Sequence, residues 1–138
     1  HPNIVGMKDT TKEDIAGYIA AGKNGAEFHV LAGTIKKFLD GLKLGAVGGV
    51  LSVAVYLPQL CADLFALYQA GKMAEAEALS QRLISLSKQL TDTSAVAGVK
   101  SAMTLTGYHG GEPRLPLLPL TSEQTQQQRE ILTQAGLL

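Results

Sequence analysis

An α/β fold with parallel strands is predicted by three features of this 138-residue sequence. Short apolar runs alternate with amphipathic stretches in the order strand, helix, strand, helix, strand, helix. Parallel strands require such crossover connections, so the alternation reads as βαβ architecture. Beyond about residue 58 the strands cease and only helical patterns follow. The chain therefore divides into an α/β part, residues 1–57, and a helical part, residues 58–138.

Each element has its own warrant. Asn3-Ile4-Val5-Gly6-Met7 is an apolar run suited to a strand buried on both faces. Thr11 offers a hydroxyl cap with Asp14 three residues on, and Ile15, Tyr18 and Ile19 follow at helical spacing until Gly22 to Gly25 stops the element. Phe28 to Leu31 reads as a second strand, ending at Ala32-Gly33. Ile35, Phe38, Leu39 and Leu42 form one face of a helix closed by Gly45. Val47 to Val55, dense in glycine and valine, reads as a third strand. Leu60, Cys61, Leu64, Phe65 and Leu67 then lie on a helix ended by Gly71. A second helix runs from Met73 to Leu90 with apolar positions at 79, 83, 86 and 90, and a third from Val96 to Leu105. After a loop from Gly107 to Pro119, Thr121 and Gln124 form a capping box for the last helix.

Composition excludes several classes. Hydrophobic residues at 46% and charged residues at 17% describe a folded chain, not a disordered one. Twelve basic side chains balance 12 acidic ones, which leaves no electrostatic footprint for nucleic acid or an acidic membrane surface. One cysteine excludes a disulfide scaffold and a thiolate metal cluster, and fits a reducing, cytoplasmic setting. Leu44 to Ala62 carries no charge, but Gly45, Gly48, Gly49, Ser52, Pro58 and Gln59 interrupt it. It reads as a buried strand and a helix starting at Pro58 rather than a membrane span. No signal peptide opens the chain, which starts at His1 and is expected to be part of something longer. Three strands leave bare edges that invite association, so a larger fold or another chain is expected to complete the sheet.

Lys8 is the first candidate for chemistry. It sits at the carboxyl end of the first strand, where α/β sheets and barrels place their sites. An amine in an apolar surround favours its neutral form, the nucleophile that adds to a ketone to give a Schiff base. A lysine there also reads as a side chain reaching to solvent. Gly33 and Gly48-Gly49, near strand ends, allow close approach of a ligand or of backbone. Gly45-Ala-Val-Gly48-Gly49 does not match the dinucleotide fingerprint, and Gly22-Lys-Asn-Gly25 lacks Walker A spacing, so no nucleotide cofactor is implied. His1, His29 and His109 have no ligand spacing, and no metal site is expected. His29 reads as a hydrogen-bonded structural residue, Cys61 as an inert core thiol, and Glu112 to Glu130 as solvated surface with a helix cap.

Together these segments resemble the dihydrodipicolinate synthase and N-acetylneuraminate lyase family. His1-Pro-Asn-Ile-Val-Gly-Met-Lys8-Asp-Thr is similar to the family's Schiff-base lysine strand. Val30-Leu-Ala-Gly33 resembles the next strand and Leu44-Gly-Ala-Val-Gly-Gly-Val50 the last. Gly71-Lys-Met-Ala-Glu-Ala76 resembles the helix junction after the barrel, while Val99-Lys100 and Gly107 through Leu120 resemble the tail. Met7-Lys8-Asp9, Leu31-Ala-Gly33 and Ala46-Val-Gly-Gly49 look most like the 4-hydroxy-2-oxoglutarate aldolase branch.

The resemblance implies a TIM (β/α) barrel followed by a helical domain, with this chain holding strands six to eight and the tail. It implies Lys8 as nucleophile toward pyruvate or a 2-oxo acid that releases it, with no cofactor. Thr10 and Gly33 would contact substrate near its carboxylate end, and Val50 would line the pocket. The implied reaction is cleavage of 4-hydroxy-2-oxoglutarate to pyruvate and glyoxylate. The alternative is dihydrodipicolinate synthase chemistry, with an aldehyde acceptor. Other departures are clear: Ala54-Val55 stands where the family commonly has Ala-Asn, and no tyrosine here occupies the proton-relay position. The amino-terminal half-barrel is the expected partner, together with further copies in a homo-oligomer. A non-catalytic assembly module is the reading from another class, based on the helical tail and the incomplete sheet. A barrel takes about 250 residues, so the 138-residue protein alone is expected to fall far short of a normal enzyme rate on 4-hydroxy-2-oxoglutarate.

Overall fold

The computed structural model describes residues 1–11, 13, 15–22, 28–92 and 94–138. Asp14 and Gly25, expected as a cap partner and a helix stop, lie outside them. Among the described residues three parallel strands form one sheet in the order β1-β2-β3. These are β1 (Gly6–Asp9), β2 (His29–Ala32) and β3 (Gly48–Gly49). Helices α1 (Ala16–Gly22) and α2 (Ile35–Leu44) make the crossovers. The expected α/β alternation is therefore present. Lys8 pairs with Leu31, which pairs with Gly48, and Asp9 with Ala32, which pairs with Gly49.

Two strands depart from expectation. The first begins later than Asn3 and is not buried on both faces: Ile4 and Val5 are 62% and 60% exposed. The ladder starts only where the Val5 carbonyl accepts the His29 N–H at 2.8 Å, and β1 is an edge strand. The third strand is two residues long rather than spanning Val47 to Val55. Gly49 lies under the Phe38 ring, where an added Cβ would stand 2.8 Å from Phe38 Cδ2. Once the Val50 N–H has bonded the Ala32 carbonyl at 2.9 Å, the chain turns into a 3-10 turn at Ser52–Val55. Of the valines there, Val53 is buried at 1% exposure and Val55 is exposed at 41%, which is the pattern of a turn with one inward side chain instead of a pleated ladder.

The rest is helical: α3 (Pro58–Gln69), α4 (Met73–Thr91), α5 (Ala95–Leu105) and α6 (Ser122–Gln134). Gly71, at φ +71°, stops α3 as expected. It places the Lys72 N–H on the Leu67 carbonyl and its own N–H on Tyr68, both at 3.0 Å, a Schellman closure that suits glycine because the left-handed region penalises a Cβ. Gly45 closes α2 in the same way. No described helix is long and apolar enough to cross a membrane.

The chain forms two compact units, residues 1–52 with 62–80, and residues 53–61 with 81–138. In the first, Ile15, Val30, Ala32, Ile35, Phe38, Leu39 and Leu42 are buried around the helix-covered face of the sheet. Phe38 and Phe65 stack with ring centroids 6.5 Å apart. In the second, Tyr56, Leu83, Leu90 and Leu132 form the core. Gln128, in a stretch expected to be solvated, is buried there: its amide donates to the Leu90 carbonyl at 2.6 Å and to Gly98 at 3.1 Å. Its place on the inner face of α6 turns it inward to satisfy backbone carbonyls. Cys61 is buried as expected, and burial pushes its thiol up to about 11.

The capping box at α6 is complete: Thr121 Oγ1 accepts the Gln124 N–H at 3.2 Å, and Gln124 Oε1 accepts the Thr121 N–H at 2.9 Å. Replacing a capping hydroxyl costs roughly 1 kcal/mol. Thr121→Ala is expected to lower the unfolding free energy by that amount, read from a urea titration, with a smaller loss for Gln124→Ala.

Candidate active site at the carboxyl ends of the strands

Alternation along β1 sends Lys8 and Asp9 to opposite faces. Lys8 is exposed, on the face that also carries Leu31 and Gly48 in its row. Gly48, in the same row, lets the Leu31 side chain lie beside it, and Gly6 accommodates the close approach of His29. Thr10 follows β1, Gly33 follows β2 and Val50 follows β3, so all four expected site residues gather at the carboxyl edge of the sheet. Thr10 and Val50 are exposed, Val50 by 53%. His29, opposite Gly6, is exposed at the strand start and stands apart from that edge.

Asp9 is the feature that sequence reading passed over. Its side chain is fully buried and meets Lys37 Nζ of α2 at 3.0 Å through Oδ2. Oδ1 accepts the Thr11 N–H at 2.9 Å, and the Asp9 carbonyl accepts the Gly33 N–H at 2.7 Å. Lys37 Nζ also donates to the Glu13 carbonyl. The Thr11 backbone hydrogen bond, aided by Lys37, holds the Asp9 carboxyl below its ordinary pKa, against the opposing effect of burial. Gly33 permits the strand ends to meet, because an added Cβ would collide with Thr10 Cγ2 and stand 2.5 Å from the Asp9 carbonyl oxygen. One sequence signal was available: Asp9 falls in register with Met7 on the face that α1 and α2 cover.

Chemically, this edge presents an exposed primary amine, a nucleophile toward a carbonyl when neutral. Among the described residues no group of three His, Cys, Asp or Glu side chains is placed to hold a metal.

Two outcomes follow for stability. Gly33→Ala forces backbone apart and is expected to cost about 1–3 kcal/mol, read from a denaturant midpoint. A carboxyl with a lowered folded-state pKa stabilises the fold above its unfolded value, near pH 4, and that stabilisation is lost as pH falls through the folded value. Unfolding midpoints are expected to decline on acidification below about pH 4, and Asp9→Asn should flatten this decline while lowering stability at pH 7.

The model of the Dihydrodipicolinate synthetase family matches residues 1–135. The 4-hydroxy-tetrahydrodipicolinate synthase of Acidiphilium cryptum is 36% identical over 138 residues, all of this chain and 47% of that protein. Dihydrodipicolinate synthase from Thermotoga maritima superposes with a TM-score of 0.86 at 27% identity, over 99% of this chain and 47% of that one. KD(P)GA from T. tenax superposes with a TM-score of 0.85, also at 27% identity, over 96% of this chain and 46% of that one. The chain spans about half the length of the curated relatives it matches. Its parallel strands and crossover helices resemble part of the barrel of these enzymes. Matched along nearly its whole length, the chain belongs to the Dihydrodipicolinate synthetase family.

Proposed function

We propose that these residues are the Schiff-base portion of a 4-hydroxy-tetrahydrodipicolinate synthase, with Lys8 as nucleophile, pyruvate as donor and aspartate semialdehyde as acceptor. The observation that carries the reading is an exposed amine at the carboxyl end of a parallel strand, in a chain that a synthase relative matches from end to end. The Lys8 amine would add to the ketone of pyruvate and expel water. The resulting protonated imine draws electrons from the adjacent methyl group, which loses a proton to give an enamine. The enamine carbon then attacks the acceptor aldehyde, and hydrolysis or displacement frees the lysine.

Thr10 and Gly33 would flank the carboxylate end of the bound 2-oxo acid, and Val50 would supply an aliphatic wall. The apolar surround that favours a neutral amine is not made by the described residues, since Lys8 is exposed among them. Residues of an amino-terminal half-barrel would make it, and exposed Ile4, Val5, Val47 and Val50 offer apolar surface for further strands to cover. We read residues 58–138 as the end of the barrel and a helical domain, and the whole protein as a cytoplasmic homo-oligomer.

Cleavage of 4-hydroxy-2-oxoglutarate, the reaction expected from the resemblance of Met7-Lys8-Asp9, Leu31-Ala-Gly33 and Ala46-Val-Gly-Gly49, is the second reading. The synthase named by the curated relatives is favoured over it. Both share Lys8 and part at the acceptor.

Borohydride added to the whole protein with pyruvate is expected to leave a stable adduct on Lys8, located by peptide mass spectrometry. Lys8→Ala should abolish both the adduct and turnover. An adduct elsewhere, or none, would falsify the assignment. Faster consumption of pyruvate with aspartate semialdehyde than with glyoxylate supports the synthase, and the reverse order supports the aldolase.

A further inference from the structure

We propose that Asp9 and Lys37 are positioning residues for Lys8, forming a clamp on the covered face of the sheet that sets where the amine stands on the open face. This rests on the reading of Lys8 as the nucleophile. Burying a carboxylate costs more than burying an apolar side chain of its size, and a hydrophobic pair would join α2 to β1 without that cost. What the ion pair adds is direction. Asp9 Oδ2 is tied to Lys37, Oδ1 to the Thr11 N–H, and the Asp9 carbonyl to the Gly33 N–H. Lys37 reaches on to the Glu13 carbonyl.

Four bonds thus fix the backbone that leaves Lys8, including Thr10, against the ends of β2 and α2. Asp9 has no side-chain exposure and Lys37 only 20%, so solvent does little to loosen the pair. Neither side chain shares a face with Lys8, so neither touches substrate. Their influence passes through the one peptide that links residues 8 and 9. Lys8 lies in row with Leu31 and Gly48, and a small shift or twist at Asp9 moves its amine along that row. Misplacement of a reacting group by about 1 Å can cost ~10²-fold in rate.

The test uses the whole protein, with three variants compared against the parent. Lys37→Met keeps the aliphatic stem and removes the clamp. The double variant Asp9→Leu with Lys37→Met removes both charges, so no unpaired charge is left buried to unfold the protein. Lys37→Arg keeps a cation within reach of Asp9. Folded protein is quantified by circular dichroism and denaturant titration, and borohydride trapping of pyruvate on Lys8 is timed alongside kcat and KM.

The double variant is expected to fold while its trapping rate and kcat fall by ~10–100-fold, with KM for pyruvate changed much less. Lys37→Arg should recover most of the loss. If the double variant or Lys37→Met traps pyruvate per folded molecule as fast as the parent, the pair only holds the fold together and the proposal is overturned. If the parent itself forms no adduct on Lys8, the nucleophile reading fails first, and that outcome is visible before any variant is compared.

Discussion

Asp9 places a carboxylate with no exposed side-chain surface at the end of an edge strand, and the first compact unit is arranged to make that tolerable. A buried charge without partners costs several kcal/mol. Here the carboxylate is met by the Lys37 ammonium on α2 and by the Thr11 N–H just downstream, while the backbone carbonyl of the same residue separately accepts the Gly33 N–H at the end of β2. Gly33 must lack a side chain for the last contact to form. Ile35, Phe38 and Leu42 bury the apolar face of α2, and Lys37 sits on the same helix as the cation for Asp9. β1 is thus coupled to α2 through the Asp9 carboxylate and to the end of β2 through the carbonyl of the same residue, rather than through shape alone.

The same arrangement explains the asymmetry of the sheet. Val30, Ala32 and Asp9 turn to the helices and are buried, whereas Lys8 and His29 are exposed and Leu31 and Gly48 half-buried. A sheet with one covered face and one open face, carrying a lysine on the open one, separates two tasks. Packing and charge compensation lie on the covered side, and the exposed amine lies on the other. Gly48 and Gly49 serve both at once: the first faces Leu31 in the open row, and the second lets the Phe38 ring close over the covered face.

Helices were the legible part of this fold because their signals are local. Apolar residues at helical spacing, Pro58 at an N-terminus, Gly45 and Gly71 at C-termini and the Thr121–Gln124 box each act within one or two turns. The strands were read less well, because strand limits depend on where a neighbour supplies hydrogen bonds. Val47 to Val55 has the composition of a long strand, but β2 offers Gly48 and Gly49 pairing partners only at its last two residues, and the chain then turns. Lys8 and Gly33 are singled out by their place at strand ends and Thr10 and Val50 by the family resemblance, and all four lie at the carboxyl edge of the sheet. Asp9 was missed because an acid in Met-Lys-Asp-Thr-Thr reads as surface. Its burial comes from Lys37, 28 residues away in sequence, and no local pattern reports that pairing. Gln128 was missed for the same reason: its amide satisfies carbonyls 30 and 38 residues earlier in the chain.

The exposure of Lys8 bears on how the proposed Schiff-base site would be divided along the chain. Two properties are needed at the nucleophile: a fixed position and an apolar, partly dry surround. Position is set here by residues within the first compact unit, through β1, Asp9 and the close contact at Gly33. The surround is not, because Lys8 is exposed among the described residues. Position depends on the backbone hydrogen bonds of adjacent strands, which neighbouring segments can provide. Dryness depends on enclosing the whole open face, which three strands cannot do. On the proposed reading, placement of the amine and its desolvation are therefore separable requirements: the first rests on β1, Asp9 and Gly33, and the second on enclosure of the open face.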